Sequence, residues 1–364
     1  MKTVDTLTNN DRLSKILSVG EEITGLEDLT RLIDSGEKII AYDGFEPSGQ
    51  MHIAQGILRT INVNKMISAG VKFKILIADW HAWANNKMDG DLDAIQFVGK
   101  YFVEVWRATG MDLENVEFVW ASDLVKDHEY WKLVLKISRE NSIKRVVRCA
   151  QIMGRKESMQ LSAAQILYPC MQAADIFILG AQITQLGMDQ RKVNMLAREV
   201  GEKIGFWKPV VVSHHMLMGL QNPISSSKSP AEKSIERKMS KSKPNTAIFM
   251  TDSKEDVEKK ISDAWCPAGV VEENPILDYC KHILFEKKSE LIVKRKKEFG
   301  GTLKFSSFED LQTSFGSSKL HPADLKVAVA RELNELLEPV REHFRTDSHA
   351  KKLLKKVREL KISR

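Results

Sequence analysis

Cysteine is scarce in this chain of 364 residues: there are four, Cys149, Cys170, Cys266 and Cys280. None falls in a C-x-x-C pair or at zinc-ligand spacing, which argues against a disulfide scaffold and a cysteine-bound metal. Reduced thiols in a cytoplasmic protein without a tightly bound metal are expected. No stretch approaches the ~20 apolar residues that span a bilayer, so no membrane partner is expected. The opening MKTVDTLTNNDRL has no apolar core of the signal-peptide kind. No internal repeat is evident. What remains is ordinary for a globular chain, 43% hydrophobic and 29% charged, and the length suits two domains.

The net charge of +6 is unevenly spread. Residues 1–220 hold 26 Lys+Arg against 27 Asp+Glu, and residues 221–364 hold 29 against 22. A basic C-terminal part on a neutral body suits a polyanion docking at one end. A soluble Lys/Glu-rich surface would give the same numbers, so charge alone does not decide.

Short apolar runs alternate with amphipathic stretches in the first half. KIIAY (38–42), KFKILIAD (72–79), VEFVWAS (116–122) and PVVVS (209–213) read as strands. Between them, helices are expected from His52 to a C-cap at Gly70, over 91–109 up to Gly110, and as a block over 127–200. This order predicts a doubly wound, Rossmann-like α/β domain over 1–246, with ligands at the carboxyl ends of its strands. Residues 221–243 are Ser- and Lys-rich and read as a mobile loop. From 247 to 346 a mainly helical domain is expected, followed by a basic tail, 347–364. That tail places Leu353, Leu354, Val357 and Leu360 on one helical face among seven Lys/Arg.

Three constellations carry chemistry. The first is the turn AYDGFEPSGQMHIAQG (41–56). Gly44 and Gly49 permit close backbone approach, Pro47 fixes the turn, and a helix opening near His52 would offer N–H groups to a phosphate. His52 and Gln55, three apart, would share a face; alone, H-x-x-Q would be two surface residues. The second is KMSKS (238–242), whose Lys238 and Lys241 can neutralise charge on a leaving pyrophosphate. The look-alike SSSKS at 225–229 shows how readily basic loops generate such runs. The third is LYPCMQAAD (167–175), which puts Tyr168, Gln172 and Asp175 on one face of an apolar helix. Asp189, Gln190 and Tyr42 are further candidates. Asp175 with Tyr42 suits a phenol, and Tyr168, Gln172 and Gln190 suit an ammonium group.

His52-Ile53-Ala54-Gln55 followed by KMSKS resembles the paired signatures of class I aminoacyl-tRNA synthetases, with Ala54-Gln55 replacing Gly-His of the family's H-I-G-H. GFEPSG (44–49), ADWHAW (78–83), WCPAGVVEENP (265–275), EFGG (298–301) and HPADLK (321–326) extend the resemblance over about 38–345 to the archaeal and eukaryotic tyrosyl-tRNA synthetase family. It implies ATP as substrate with Mg²⁺, tyrosine, tRNA(Tyr) and a homodimer. ATP contacts are then expected from Gly44, Glu46, Pro47, His52, Gln55, Asp189, Lys238, Met239, Ser240, Lys241 and Ser242, with Asp189 toward the ribose. Anticodon contacts are expected from Phe299, His321 and Asp324. Tryptophan synthetases share the fold, and an indole N–H also needs an acceptor. Tyr42 together with the Tyr168–Asp175 helix and Asp189-Gln190 favours tyrosine. A synthetase-like RNA-binding protein, or a small-molecule nucleotidyltransferase, is the reading from another class.

Overall fold

The computed structural model describes residues 7–153, 160–223, 237–241 and 244–360. Ser242 of the KMSKS run, and 225–229, lie outside them.

Six strands form the main sheet: β1 (Glu22–Thr24), β2 (Ile40–Phe45), β3 (Lys72–Ile77), β4 (Val116–Trp120), β5 (Ile183–Thr184) and β6 (Val210–Ser213), in the order β1-β6-β5-β2-β3-β4. All neighbours are parallel except β1, which runs antiparallel along β6. β2 leads through helix Ile57–Ser68 to β3, and β3 through helix Leu92–Thr109 to β4. The chain then crosses to the other side of β2 to lay down β5 and β6. Strand order therefore reverses between β2 and β5, where a doubly wound sheet leaves a crevice at its carboxyl ends. One buried cluster includes helices Ile57–Ser68 and Leu92–Thr109, and a second joins His128–Arg139, Ala163–Ile178 and Arg191–Val200.

Gly70 (φ 76°) and Gly110 (φ 81°) end their helices in the left-handed region, as expected of C-caps. Three expectations need correction. The helix after the first turn opens at Ile57, not His52, because residues 51–53 are already committed to backbone pairing. Ile53 N donates to Ile248 O (2.9 Å), Met250 N donates to Met51 O (2.9 Å), and His52 bridges Phe249. The block 127–200 is not wholly helical, since β5 lies within it and fills the slot between β2 and β6. The segment 237–239 is tied down rather than free: Gly219 N donates to Arg237 O and Met239 N to Leu217 O, both at 2.8 Å.

Beyond residue 247 the chain is mostly helical, with one hairpin, β7 (Leu291–Val293) and β8 (Leu303–Phe305). Its long helix, Pro322–Thr346, is followed by helix Ser348–Glu359, N-capped by Asp347. This last helix lies against Leu92–Thr109 and buries Ala350, Leu353 and Val357. Lys356 Nζ sits 4.3 Å from the centroid of Phe97, and Arg358 donates to Thr251 O at 3.0 Å. Buried Leu-to-Ala changes cost about 2–5 kcal/mol. Leu353→Ala should therefore lower unfolding free energy by about that amount in urea titration. A loss below ~0.5 kcal/mol, the size of a surface change, would mean the seam contributes little.

Candidate active site

The crevice between β2 and β5 is walled by β2, by helix Ala163–Ile178 and by the segments 187–190, 214–217 and 238–239. Tyr42 projects from the middle of β2, which runs on to Phe45 rather than ending at Tyr42 as expected, and Asp175 projects from the helix; both are buried. Tyr130 donates its hydroxyl to Asp175 Oδ1 (3.0 Å), and His81 Nε2 lies 2.9 Å from Oδ2. Burial and the Asp175 carboxylate push the Tyr42 phenol well above its usual range, so it stays protonated. Burial alone would lower the His81 value, but Asp175 outweighs it and raises it. This end of the cleft therefore presents a buried carboxyl acceptor, hydrogen-bonded by Tyr130 and faced by His81.

Nearer the mouth, Tyr168 donates to Glu46 Oε1 at 2.7 Å, and Asn85 Nδ2 holds the same carboxylate at 3.0 Å. Gln172 Nε2 donates to Gln190 Oε1 (3.1 Å), and Gln190 Nε2 to Ile152 O (3.2 Å). Oε1 of Gln172 is buried with no hydrogen-bond partner among the described residues. An orphaned acceptor of this kind suits a bound cation, because leaving it unmade costs about 1–3 kcal/mol.

The opposite end gathers the two signatures. His52 is 8% exposed, and burial with the nearby Lys241 and Lys238 charges depresses its pKa well below normal, so its ring is neutral. Gln55 N donates to His52 O (2.9 Å), and the Gln55 carbonyl accepts from Trp106 Nε1 (2.9 Å). Lys238 pairs with Asp189 Oδ2 at 2.5 Å. Lys241 donates to Ser48 Oγ (3.2 Å), and burial, then Lys87, push its pKa down to about 7. The buried Met239 lines the cleft beside Lys238, whereas Lys241 does not line it. Gly49 (φ 87°) needs a residue without Cβ, whereas a Cβ on Gly44 would meet Tyr42 and Leu76 only at ordinary contact distance. Any demand for glycine at 44 would come from a ligand.

Glu46 and Asp189 also line this cleft, while Pro47 and Ser240 flank it without lining it. Phe299, His321 and Asp324 are in the C-terminal part. Sequence reasoning gave no role to His81 or Tyr130, and missed a buried group that lines the cleft. There Arg59 Nε lies 3.0 Å from Asp43 Oδ2, Arg59 Nη1 2.7 Å from His214 Nδ1, and Gln185 Nε2 2.7 Å from the same nitrogen. An aspartate inside an apolar strand, and an arginine inside the buried helix Ile57–Ser68, were its sequence traces.

The family of class I tRNA synthetases for tryptophan and tyrosine matches residues 34–338. Tyrosine–tRNA ligase 1, cytoplasmic, of Arabidopsis thaliana is 51% identical, covering 97% of this chain and 89% of its own. The tyrosine–tRNA ligase of Saccharolobus islandicus (strain M.14.25 / Kamchatka #1) is 41% identical over 96% of this chain and 98% of its own. The crystal structure of the Pyrococcus horikoshii tyrosyl-tRNA synthetase complexed with L-tyrosine superposes with a TM-score of 0.90 at 37% identity, covering 96% of this chain and all of that one.

Proposed function

The chain belongs to the class I tRNA synthetases of the tryptophan and tyrosine group and acts as a tyrosine–tRNA ligase, and we propose how its residues divide that work. The observation that carries the assignment of roles is the pair Asp175 and Tyr42 in the cleft, with Tyr130 and His81 lying 3.0 and 2.9 Å from the Asp175 carboxyl group. There the tyrosine phenol donates to Asp175, and Gln172, Gln190 and Tyr168 receive the ammonium group. The substrate carboxylate attacks the ATP α-phosphorus in line, and pyrophosphate leaves. The terminal ribose hydroxyl of tRNA(Tyr) then attacks the tyrosyl carbonyl and AMP leaves. The carboxylate is already ionised at neutral pH, so the first step needs no base; placement and charge stabilisation carry it.

His52 and Gln55 contact the phosphates as neutral hydrogen-bonding groups. Lys238 and Lys241, with Met239 and Ser240 of the same run and Ser242 assigned to it from the sequence, hold the leaving pyrophosphate; Mg²⁺ bound with ATP would offset the triphosphate charge. Gly44, Glu46 and Pro47 line the approach of ATP, and Asp189 takes the ribose once Lys238 turns to phosphate. Catalysis lies in 1–246 and anticodon binding in 247–346, in a cytoplasmic homodimer. Tyrosine-dependent ATP–pyrophosphate exchange tests this reading. Equal exchange with tryptophan and tyrosine would sink the proposed substrate pocket, and no exchange with either would favour the RNA-binding alternative.

For the anticodon, Phe299 is 61% exposed on a turn ending at Gly300, and Arg295 joins Gly301 O (2.9 Å) to Lys319 O (3.2 Å). EFGG is thereby tied beside the start of the Pro322–Thr346 helix. His321 caps that helix, its Nδ1 accepting from Ala323 N at 3.2 Å, and Asp324 lies in the first turn. In this reading Phe299 stacks on an unpaired base, and Asp324 accepts from guanine N1–H and its 2-amino group. Asp324→Ala should cut aminoacylation of a guanine-first anticodon by about 10- to 100-fold, as for a lost bidentate base contact. Adenylate formation should stay intact. Equal loss with a tRNA bearing another base there would leave Asp324 as a helix-dipole residue worth under ~1 kcal/mol.

A further inference from the structure

Three side chains with metal-binding atoms converge where the sheet meets the C-terminal helices. His215 follows β6, while Asp278 and His282 are four apart on helix Pro275–Tyr279 and the π-turn Cys280–Leu284. His215 Nε2 is 2.8 Å from Asp278 Oδ1, and His282 Nε2 is 3.7 Å from the same oxygen. The two rings stack with centroids 3.9 Å apart and planes 11° from parallel, so both nitrogens face one carboxylate. One donor atom from each residue lies within 4.8 Å of the others. A tetrahedral Zn²⁺ with bonds of about 2.0–2.1 Å keeps its ligands roughly 3.3 Å apart. The two measured nitrogen–oxygen separations bracket that spacing.

The outer surroundings fit as well. Glu21 Oε2 is 3.0 Å from His215 Nδ1, the carboxylate partner that fixes the ring of a metal-bound histidine. Met218 N donates to Asp278 Oδ2 at 2.9 Å, which aims Oδ1 at the rings. Cysteine spacing was the basis for expecting no bound metal; here the ligands come from segments 63 residues apart and leave no local motif.

We propose that His215, Asp278 and His282 form a Zn²⁺ site, completed by water and oriented by Glu21, that staples the C-terminal helices to the strand end beside the active site. Met218, three residues past His215, bridges Lys238, so an ion here fixes the segment on which that lysine is hung.

The test loads the purified full-length chain with Zn²⁺, then measures bound metal and affinity by competition with a chromogenic chelator. One Zn²⁺ per chain is expected. His282→Ala breaks neither the His215–Asp278 nor the Met218–Asp278 hydrogen bond, and should weaken binding by at least about 100-fold, with Glu21→Gln weakening it about 10-fold. Zn²⁺ should raise the melting temperature of the unmutated chain and not that of His282→Ala. Substoichiometric metal, or equal affinity in the unmutated chain and both variants, would overturn the proposal and leave His215–Asp278 an ion pair. Should His282→Ala fold poorly, Glu21→Gln alone decides: unchanged affinity counts against the site.

Discussion

Asp175→Ala should lower kcat/KM for tyrosine activation by about 10³-fold, equivalent to ~4 kcal/mol, and shrink the preference for tyrosine over phenylalanine. The phenol is matched by a buried carboxyl acceptor, and phenylalanine leaves that acceptor with nothing from the substrate. A site built to hydrogen-bond a hydroxyl rejects its deoxy analogue by about 10⁴–10⁵-fold, a scale for which tyrosine–tRNA ligases are themselves the measured case. Truncating Asp175 also strips Tyr130 and His81 of a partner, so a melting curve must accompany the kinetics. Asp175→Asn keeps the volume and loses the charge, and separates packing from recognition. If the tyrosine-to-phenylalanine ratio survives in Asp175→Ala, the phenol is bound elsewhere.

Lys238→Ala and Lys241→Ala should each slow adenylate formation by about 10²–10³-fold with little change in the KM for tyrosine, because their contacts strengthen as charge gathers on pyrophosphate. The two lysines differ in a way that pH exposes. Lys238 is already paired with Asp189, whereas Lys241 is partly buried near Lys87 with a pKa of about 7. In the free enzyme its cation is present below that value and is lost as pH rises through it. ATP should therefore bind with proton uptake above pH 7 and weaken with rising pH. Lys241→Arg, charged throughout, should flatten that profile. A mutant that loses tyrosine affinity but keeps its activation rate would contradict the assignment.

How much of this was legible beforehand follows from where each signal resides. Gly70 and Gly110 mark helix ends through their own conformational freedom, so single residues announced them. β3 is a nearly continuous apolar run past Lys74 because both sheet faces are covered, whereas β2, with Asp43 and Gly44 inside it, runs three residues beyond the point where its apolar pattern stops. β5 is two residues long and a strand only because β2 and β6 leave it a slot, so no local pattern could reveal it. The helix expected at His52 fails for a similar reason: pairing with residues nearly two hundred positions later holds 51–53 extended. The candidate site was readable where chemistry sits in compact motifs, as in KMSKS and the Tyr168–Asp175 helix. It was unreadable where polar residues meet across the fold. His81, Tyr130 and the Asp43–Arg59–His214 group each look, in sequence, like stray polar residues in apolar surroundings.

The pairing of 51–53 with 248–250 also imposes a rule on how such a chain can evolve. Its register is held by main-chain N–H and C=O groups, which every residue but proline supplies, so side chains at 248 and 250 are free to drift within the limits of packing. Length is not. One residue inserted or deleted between Lys241 and Ile248 would shift the register by one and turn alternate side chains to the opposite face. The distance along the chain from the second lysine to this bridge should thus be inherited more strictly than the amino acids that span it.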